Sequence, residues 1–206
     1  MLKLPEVTQL QKSLPKVQIY RKFELTNAQQ TRFDADISRI DIVNEVSSRT
    51  IPSIKEGEKV KNFYVLSVTL KTKDYETRNI ERIAKLIPQN LVFSLQFEEE
   101  IQIAVFCEKV FATDWMPESK ASIQLTGLNF DEVWENIIKK IEGGEWNNDL
   151  TLKENIEIKE KQEKLQKEIE RLEKLARKEV QPKKKFELVN QKRKLEEELK
   201  TLWELK

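Results

Sequence analysis

The last 56 residues, Thr151 to Lys206, constrain the fold more than any other stretch: they hold 30 charged residues, no glycine, and one proline, Pro182. Leucines and isoleucines recur there at heptad spacing on both sides of that proline. From Ile158 the series runs through Leu165, Ile169, Leu172 and Ala176, with Gln162 filling the skipped core position. Beyond Pro182 it resumes at Leu188, Leu195, Leu199 and Leu202, with Lys192 in the skipped position. Two such seams predict helices that pack along a narrow apolar stripe. Proline disfavours helix in the residue before it and cannot continue the preceding hydrogen-bond ladder. The expectation is an antiparallel coiled-coil helical hairpin with arms over about 152–179 and 184–205, roughly 42 and 33 Å long.

Each seam is thin and broken by a polar residue. A helix gains most of its stability from burying an apolar face, so a hairpin of this composition is marginal by itself. Either Trp203 and Leu205 pack it onto the rest of the chain, or a partner or a second copy completes its seam. The candidate partner-binding residues are therefore Ile158, Leu165, Ile169, Leu172, Leu188, Leu195, Leu199 and Leu202. The turn is basic: Lys183, Lys184 and Lys185, followed by Lys192, Arg193 and Lys194, put six positive charges near the tip. Clustered lysines and arginines can neutralise phosphates and release counterions, which makes these six the candidate nucleic-acid contacts. The competing reading is a solvated helix face balanced by Glu196, Glu197 and Glu198. No series of aromatics interleaves with the lysines to stack bases.

The first 150 residues read as a separate mixed α/β domain, with the tail as a second unit over 151–206. The tail carries 17 basic and 13 acidic residues, the body 20 and 23. Neither imbalance demands a polyanionic partner. No run of about 18 apolar residues exists for a transmembrane helix, and the N-terminus lacks the apolar core of a signal peptide. With a single cysteine, Cys107, no intrachain disulfide can form. These features point to the cytoplasm.

Zero histidines is the most restrictive count. It removes Ser-His-Asp and Cys-His nucleophile activation and nearly every ordinary zinc site. With four glycines and neither GxGxxG nor a P-loop pattern, a glycine-rich phosphate cradle is excluded too. No cofactor, metal site or catalytic residue is expected. A Mg²⁺-dependent nuclease would need carboxylates converging from neighbouring strands, usually an acid on one strand and Glu-x-Lys on the next. The best strand ends Thr69-Leu70-Lys71, with threonine where that glutamate belongs. Lys71, Asp74, Glu108 and Asp114 are the residues a divergent nuclease would use.

Along the body, residues 1–24 read as an irregular lead-in with a short strand or helix start around Val17–Tyr20. Thr26 or Asn27 caps a helix through Phe33 and Ile37. Ile40, Ile42, Val43 and Val46 suggest a strand, 52–58 a turn, and Val60 to Lys71 the clearest strand. A helix opening at Lys73-Asp74 carries Ile80, Ile83, Ala84 and Ile87 up to Pro88. Leu91–Phe97 and Ile101–Phe106 are strands joined by a Glu98–Glu100 loop, 115–120 is a loop, and Ala121–Leu125 is a last strand. Asn129 caps a helix bearing Val133, Trp134, Ile137, Ile138 and Ile141, closed by Gly143-Gly144. This order predicts a layered α/β (α+β) domain with a mixed sheet. Phe63, Val65, Val92, Phe93, Leu95, Ile103, Val105, Trp134 and Ile138 should form its core, and Cys107 should be buried and inert.

With these segments laid out, the chain resembles a bacterial family known only as domain of unknown function 4391. The resemblance lies in GEKVKNFYVLSVTLKTKD at 57–74, IAKLIPQNLVFSLQF at 83–97, TDWMPE at 113–118, LTGLNFDEVWENIIKKI at 125–141 and the tail over 152–199. It is weaker over 38–50. It implies no catalytic residues. It does imply a gene neighbourhood of helicases and DNA methyltransferases in restriction-like antiviral loci. The expectation that follows is a non-enzymatic accessory subunit docking a helicase or methyltransferase, or self-associating, with contact to DNA as the alternative.

Overall fold

The computed structural model describes residues 2–143, 146–147 and 150–204. The chain divides into two compact units, Met1–Gly144 and Glu145–Lys206.

The first unit is built on one sheet. Its strands are β1 (Gln9–Ser13), β2 (Ile37–Ser47), β3 (Asn62–Leu70), β4 (Asn90–Phe97), β5 (Glu100–Cys107), β6 (Lys109–Ala112) and β7 (Met116–Pro117). They lie in chain order from β1 to β6, and β7 shares the outer edge of β5 with β6. Every pairing is antiparallel except β3 with β4, which run parallel. A parallel pair needs a crossover, and α3 (Thr77–Leu86) supplies it.

Side chains alternate across a strand, so β3 and β4 each feed two faces. On one face Leu66, Val68, Phe93 and Leu95 meet Ile19 of α1 (Lys16–Lys22), Phe33 of α2 (Asn27–Asp36), and Ile80 and Ile83 of α3. The opposite face is covered by α4 (Phe130–Glu142): the Phe63 ring lies 6.4 Å from Phe130 and 5.8 Å from Trp134. All nine residues expected in the core are buried. Fully burying a side chain of this size is worth about 1.5–3 kcal/mol, so the two faces supply the main driving force for this unit.

Local chemistry sets the element boundaries. Thr26 and Gln29 form a capping box that starts α2. That helix ends at Asp36, not Ile37, because Ile37 is already extended and pairs with Leu70. α3 begins at Thr77 rather than Lys73, since the preceding backbone donors are taken elsewhere. Lys71 donates its N–H to the Asp36 carbonyl (2.7 Å), and Glu76 donates its N–H to the Asp36 carboxylate (2.9 Å). Asn129 caps α4, and Gly143 ends it in the left-handed region at φ 70°.

Two expectations about the last strands fail: 115–120 is not all loop but contains β7 and a 3-10 turn, and Ala121–Leu125 is not a strand. Ala121–Leu125 joins no ladder, although Ala121 and Ile123 are buried as its alternation implies. The edge of β5 is already occupied by β6 and β7, so this segment packs on the sheet without extending it. The β5–β6 hairpin turns at Glu108, which takes φ 62°. Neither glycine nor asparagine marks that turn, so residue type does not announce it. Cys107, at the end of β5, is half-buried rather than buried; burial, together with the Glu108 charge, raises its thiol pKa. Among the described residues no helix is long and apolar enough to cross a membrane.

Candidate interaction surface

The second unit is a hairpin of α5 (Leu152–Lys178) and α6 (Pro182–Glu204). Thr151 starts α5 with a capping box. Its hydroxyl accepts from the Glu154 N–H (3.3 Å), and the Glu154 carboxylate accepts from the Thr151 N–H (2.8 Å). Donation from the Thr151 hydroxyl (2.7 Å) and then from its backbone N–H holds the Glu154 carboxyl below its ordinary pKa. α6 opens two residues earlier than expected, at Pro182 itself. A first helical residue needs no N–H partner, and the ring fixes a helical φ. The Lys185 N–H donates to the Gln181 carbonyl (2.9 Å) to close the first turn.

The residues of the heptad seam are unevenly buried. Ile169, Leu172, Ala176 and Leu202 are buried, whereas Ile158, Leu165, Leu188, Leu195 and Leu199 are half-buried. Gln162 is only 5% exposed, and its side-chain amide donates to the Leu202 carbonyl (3.0 Å). That carbonyl lies in the last described turn of α6. The polar break in the first seam thus ties one arm to the backbone of the other. Lys192, the break in the second seam, lies 3.7 Å from Glu173 on the other arm and 3.4 Å from Glu196. A second cross-arm pair joins Lys161 to Glu198 at 2.9 Å.

Outside the seam the hairpin presents apolar surface. Val180 is 89% exposed and Phe186 67%, both at the tip, and Leu175 and Val189 stand partly exposed nearby. Two open grooves follow the arms: one of about 450 Å³ has Leu175 and Leu188 in its lining, and one of about 530 Å³ has Ile169, Leu199 and Trp203. Leu205 lies outside the described residues. Sequence reasoning missed Phe186 and Val189 because they fall off the seam. Their signal was a second stripe at Pro182, Phe186 and Val189, spaced i, i+4, i+7. Ile156, buried to 2% exposure, was also missed.

The six basic candidates do not form one patch. Lys183, Lys184 and Lys185 are exposed at the tip, beside Phe186. Arg193 and Lys194 are exposed further along α6, and Lys192 is committed to its glutamates between the arms. The three tip lysines occupy the first turn of α6, which contains no acidic residue. That is the positive end of the helix dipole, where a cation is disfavoured by about 0.3–1 kcal/mol. Helix stability therefore does not account for their placement.

In the α/β unit, the four residues a nuclease would use are dispersed. The Lys71 ammonium donates to the Asp34 carbonyl (2.7 Å), just beyond the end of β3. Asp74 lies in the loop leading to α3, at the same end of the sheet. Glu108 turns the chain at the opposite end, since β5 runs antiparallel to β4 and β4 parallel to β3. Asp114 lies beyond the outer edge of β5, between β6 and β7. β3 contains no aspartate or glutamate. The acids near Lys71 are already engaged: Asp34 accepts from the Lys16 ammonium (2.5 Å) and the Tyr20 hydroxyl (2.7 Å), and Asp36 from the Asn79 amide (2.8 Å). Burial disfavours the Asp34 charge, but the Lys16 and Tyr20 hydrogen bonds outweigh it and lower its pKa. Among the described residues no three Cys, Asp or Glu side chains gather as a metal site would require.

A family model described as Domain of unknown function (DUF4391) matches residues 2–199, and the chain belongs to that family. No curated protein and no solved structure matches the chain.

Proposed function

We propose that the protein is a non-enzymatic interaction subunit whose helical hairpin docks a protein partner. The observation carrying this reading is the hairpin's unfilled apolar surface: five half-buried seam residues flanked by exposed Val180, Phe186 and Val189. Isolated exposed apolar residues are ordinary, but a concentration of them on a thin-seamed hairpin marks a surface that gains by being covered. The gene neighbourhood implied by the family resemblance suggests the partner class, a helicase or DNA methyltransferase subunit of a restriction-like defence system. Co-purification with the proteins encoded beside it tests the reading, comparing wild type with a Phe186→Ala/Val189→Ala/Leu199→Ala variant. Association should be lost while the far-UV circular dichroism spectrum stays helical. Undiminished association would sink the hairpin as the docking element.

A second reading, DNA contact through the tip, is favoured by the position of Lys183, Lys184 and Lys185 at the positive end of α6. It predicts binding that weakens steeply with salt and falls on replacing the three with alanine. Absence of binding at low salt would exclude it.

A further inference from the structure

The α/β unit contains a cavity of about 250 Å³ whose described lining residues all belong to that unit. Its walls come from three places: Ile103 on β5, Ile137 and Ile141 on α4, and Ile123 in the extended segment that failed to join the sheet. Met116 of β7 completes the apolar lining. Two lysines border it, Lys120 from the turn before the extended segment and Lys140 from α4. Thr113 and Ser122 add hydroxyls, and no carboxylate lines the cavity. Among the described residues neither lysine has a hydrogen-bond or ion-pair partner, whereas Lys16, Lys73, Lys85, Lys161 and Lys192 each have one.

We infer that this cavity binds a small carboxylate with an aliphatic body. The aliphatic walls favour an apolar ligand, and two unpaired ammonium groups favour a negative end. The volume lies just below the range of about 300–1,000 Å³ that holds drug-sized ligands, which points to a short acyl chain rather than a nucleotide. Ile137, Lys140 and Ile141 lie at i, i+3 and i+4 on α4, so one helix face supplies both wall and charge.

The test uses the full chain with ¹³C-labelled isoleucine methyls, titrated with octanoate, octan-1-ol, octylamine and acetate. Octanoate should shift Ile103, Ile123, Ile137 and Ile141 saturably, with a Kd on the order of 1 mM or tighter, while Ile80 and Ile83 on the other sheet face stay in place. Acetate and octylamine should leave the spectrum unchanged, and octan-1-ol should bind more weakly. In a Lys120→Gln/Lys140→Gln variant the octanoate affinity should drop about three- to tenfold, in line with two solvent-exposed ion pairs. Three results would each overturn the proposal: no saturable shift at the four isoleucines, equal binding of octan-1-ol and octanoate, or unchanged affinity in the double variant.

Discussion

Replacing Asp131 should destabilise the α/β unit more than its surface position suggests. Its carboxylate sits at the start of α4 and accepts from the backbone N–H of Val60 (2.7 Å), Glu58 (2.8 Å) and Lys59 (3.1 Å). The loop that feeds β3 is thereby pinned to the helix that covers β3. Hydrogen bonds to a charged group contribute about 1.5–3 kcal/mol each, and partial exposure reduces this, so three together give about 2–3 kcal/mol. Asp131→Asn keeps the shape but turns an amide N–H₂ toward backbone donors. In urea its midpoint should fall by about 1 M, for a denaturant slope of about 2 kcal/mol/M.

The pH dependence supplies the sharper control. Burial disfavours the Asp131 charge, but donation from Val60, Glu58 and Lys59 outweighs it, so the folded pKa lies below the ordinary 3.8. A carboxyl whose pKa is depressed on folding contributes stability above its unfolded pKa, and that contribution is lost as pH falls through the folded value. The gap between wild type and Asp131→Asn should therefore be constant from about pH 7 to 5 and close below about pH 4. A gap under about 0.5 kcal/mol at neutral pH, or one that persists unchanged in acid, would refute the reasoning.

Four further outcomes can be checked with the same full-length chain. Gly57→Ala should cost about 1–3 kcal/mol, because a β-carbon there would lie 2.4 Å from the Asp131 Oδ1 and 2.7 Å from its backbone nitrogen. The double variant with Asp131→Ala should be less destabilised than the two single losses combined, as a thermodynamic cycle would show. Gln162→Leu should change hairpin stability by no more than about 1 kcal/mol, most simply as a gain in thermal unfolding. About 1.5–3 kcal/mol of apolar burial there opposes the loss of the hydrogen bond to the Leu202 carbonyl. Lys183→Glu/Lys184→Glu should raise the melting temperature at low salt by removing cations from the positive end of α6, with the gain shrinking as salt is added. Cys107 should react slowly with a thiol reagent at neutral pH, since burial raises its pKa; fast labelling would contradict its placement.

Elements with strong local signals were legible. β3 is a β-branched and aromatic run, β4 an apolar one, α4 has an asparagine cap and a glycine stop, and the hairpin arms carry heptads around one proline. What failed depended on tertiary competition. Ala121–Leu125 has the alternation of a strand, yet the edge it would join is occupied, so alternation records burial and not pairing. α3 starts late because the backbone donors of Lys71 and Glu76 are claimed by Asp36, a partner about forty residues away that periodicity does not see. On the hairpin, seam spacing picks out residues that are buried or half-buried, and passes over the exposed apolar ones. Phe186 and Val189 belong to a second stripe, three residues long, which a search for a single apolar face passes over.

The two units treat polar groups differently, and that contrast bears on which of them recognises a partner. Around the end of β3 the Asp34 carboxylate accepts from Lys16 and Tyr20, the Asp36 carboxylate accepts from the Glu76 N–H and the Asn79 amide, and the Lys71 ammonium donates to the Asp34 carbonyl, so each polar group there already has a partner. A network of that kind rigidifies a scaffold and leaves few charges for ligands. In the hairpin Gln162, Lys192 and Lys161 make polar contacts from one arm to the other, while the tip combines exposed valine and phenylalanine with cations at the helix end that disfavours them. Each of those tip features reduces the stability of the isolated arm, and each would be relieved by an apolar partner surface with an acidic rim. A partner with these properties would bind more tightly at low salt and lose affinity on Phe186→Ala. Nucleic acid would show the salt dependence with little effect from Val189→Ala, because valine cannot stack on a base. Comparing those two substitutions over a salt series therefore separates the two kinds of partner, whichever one first binds.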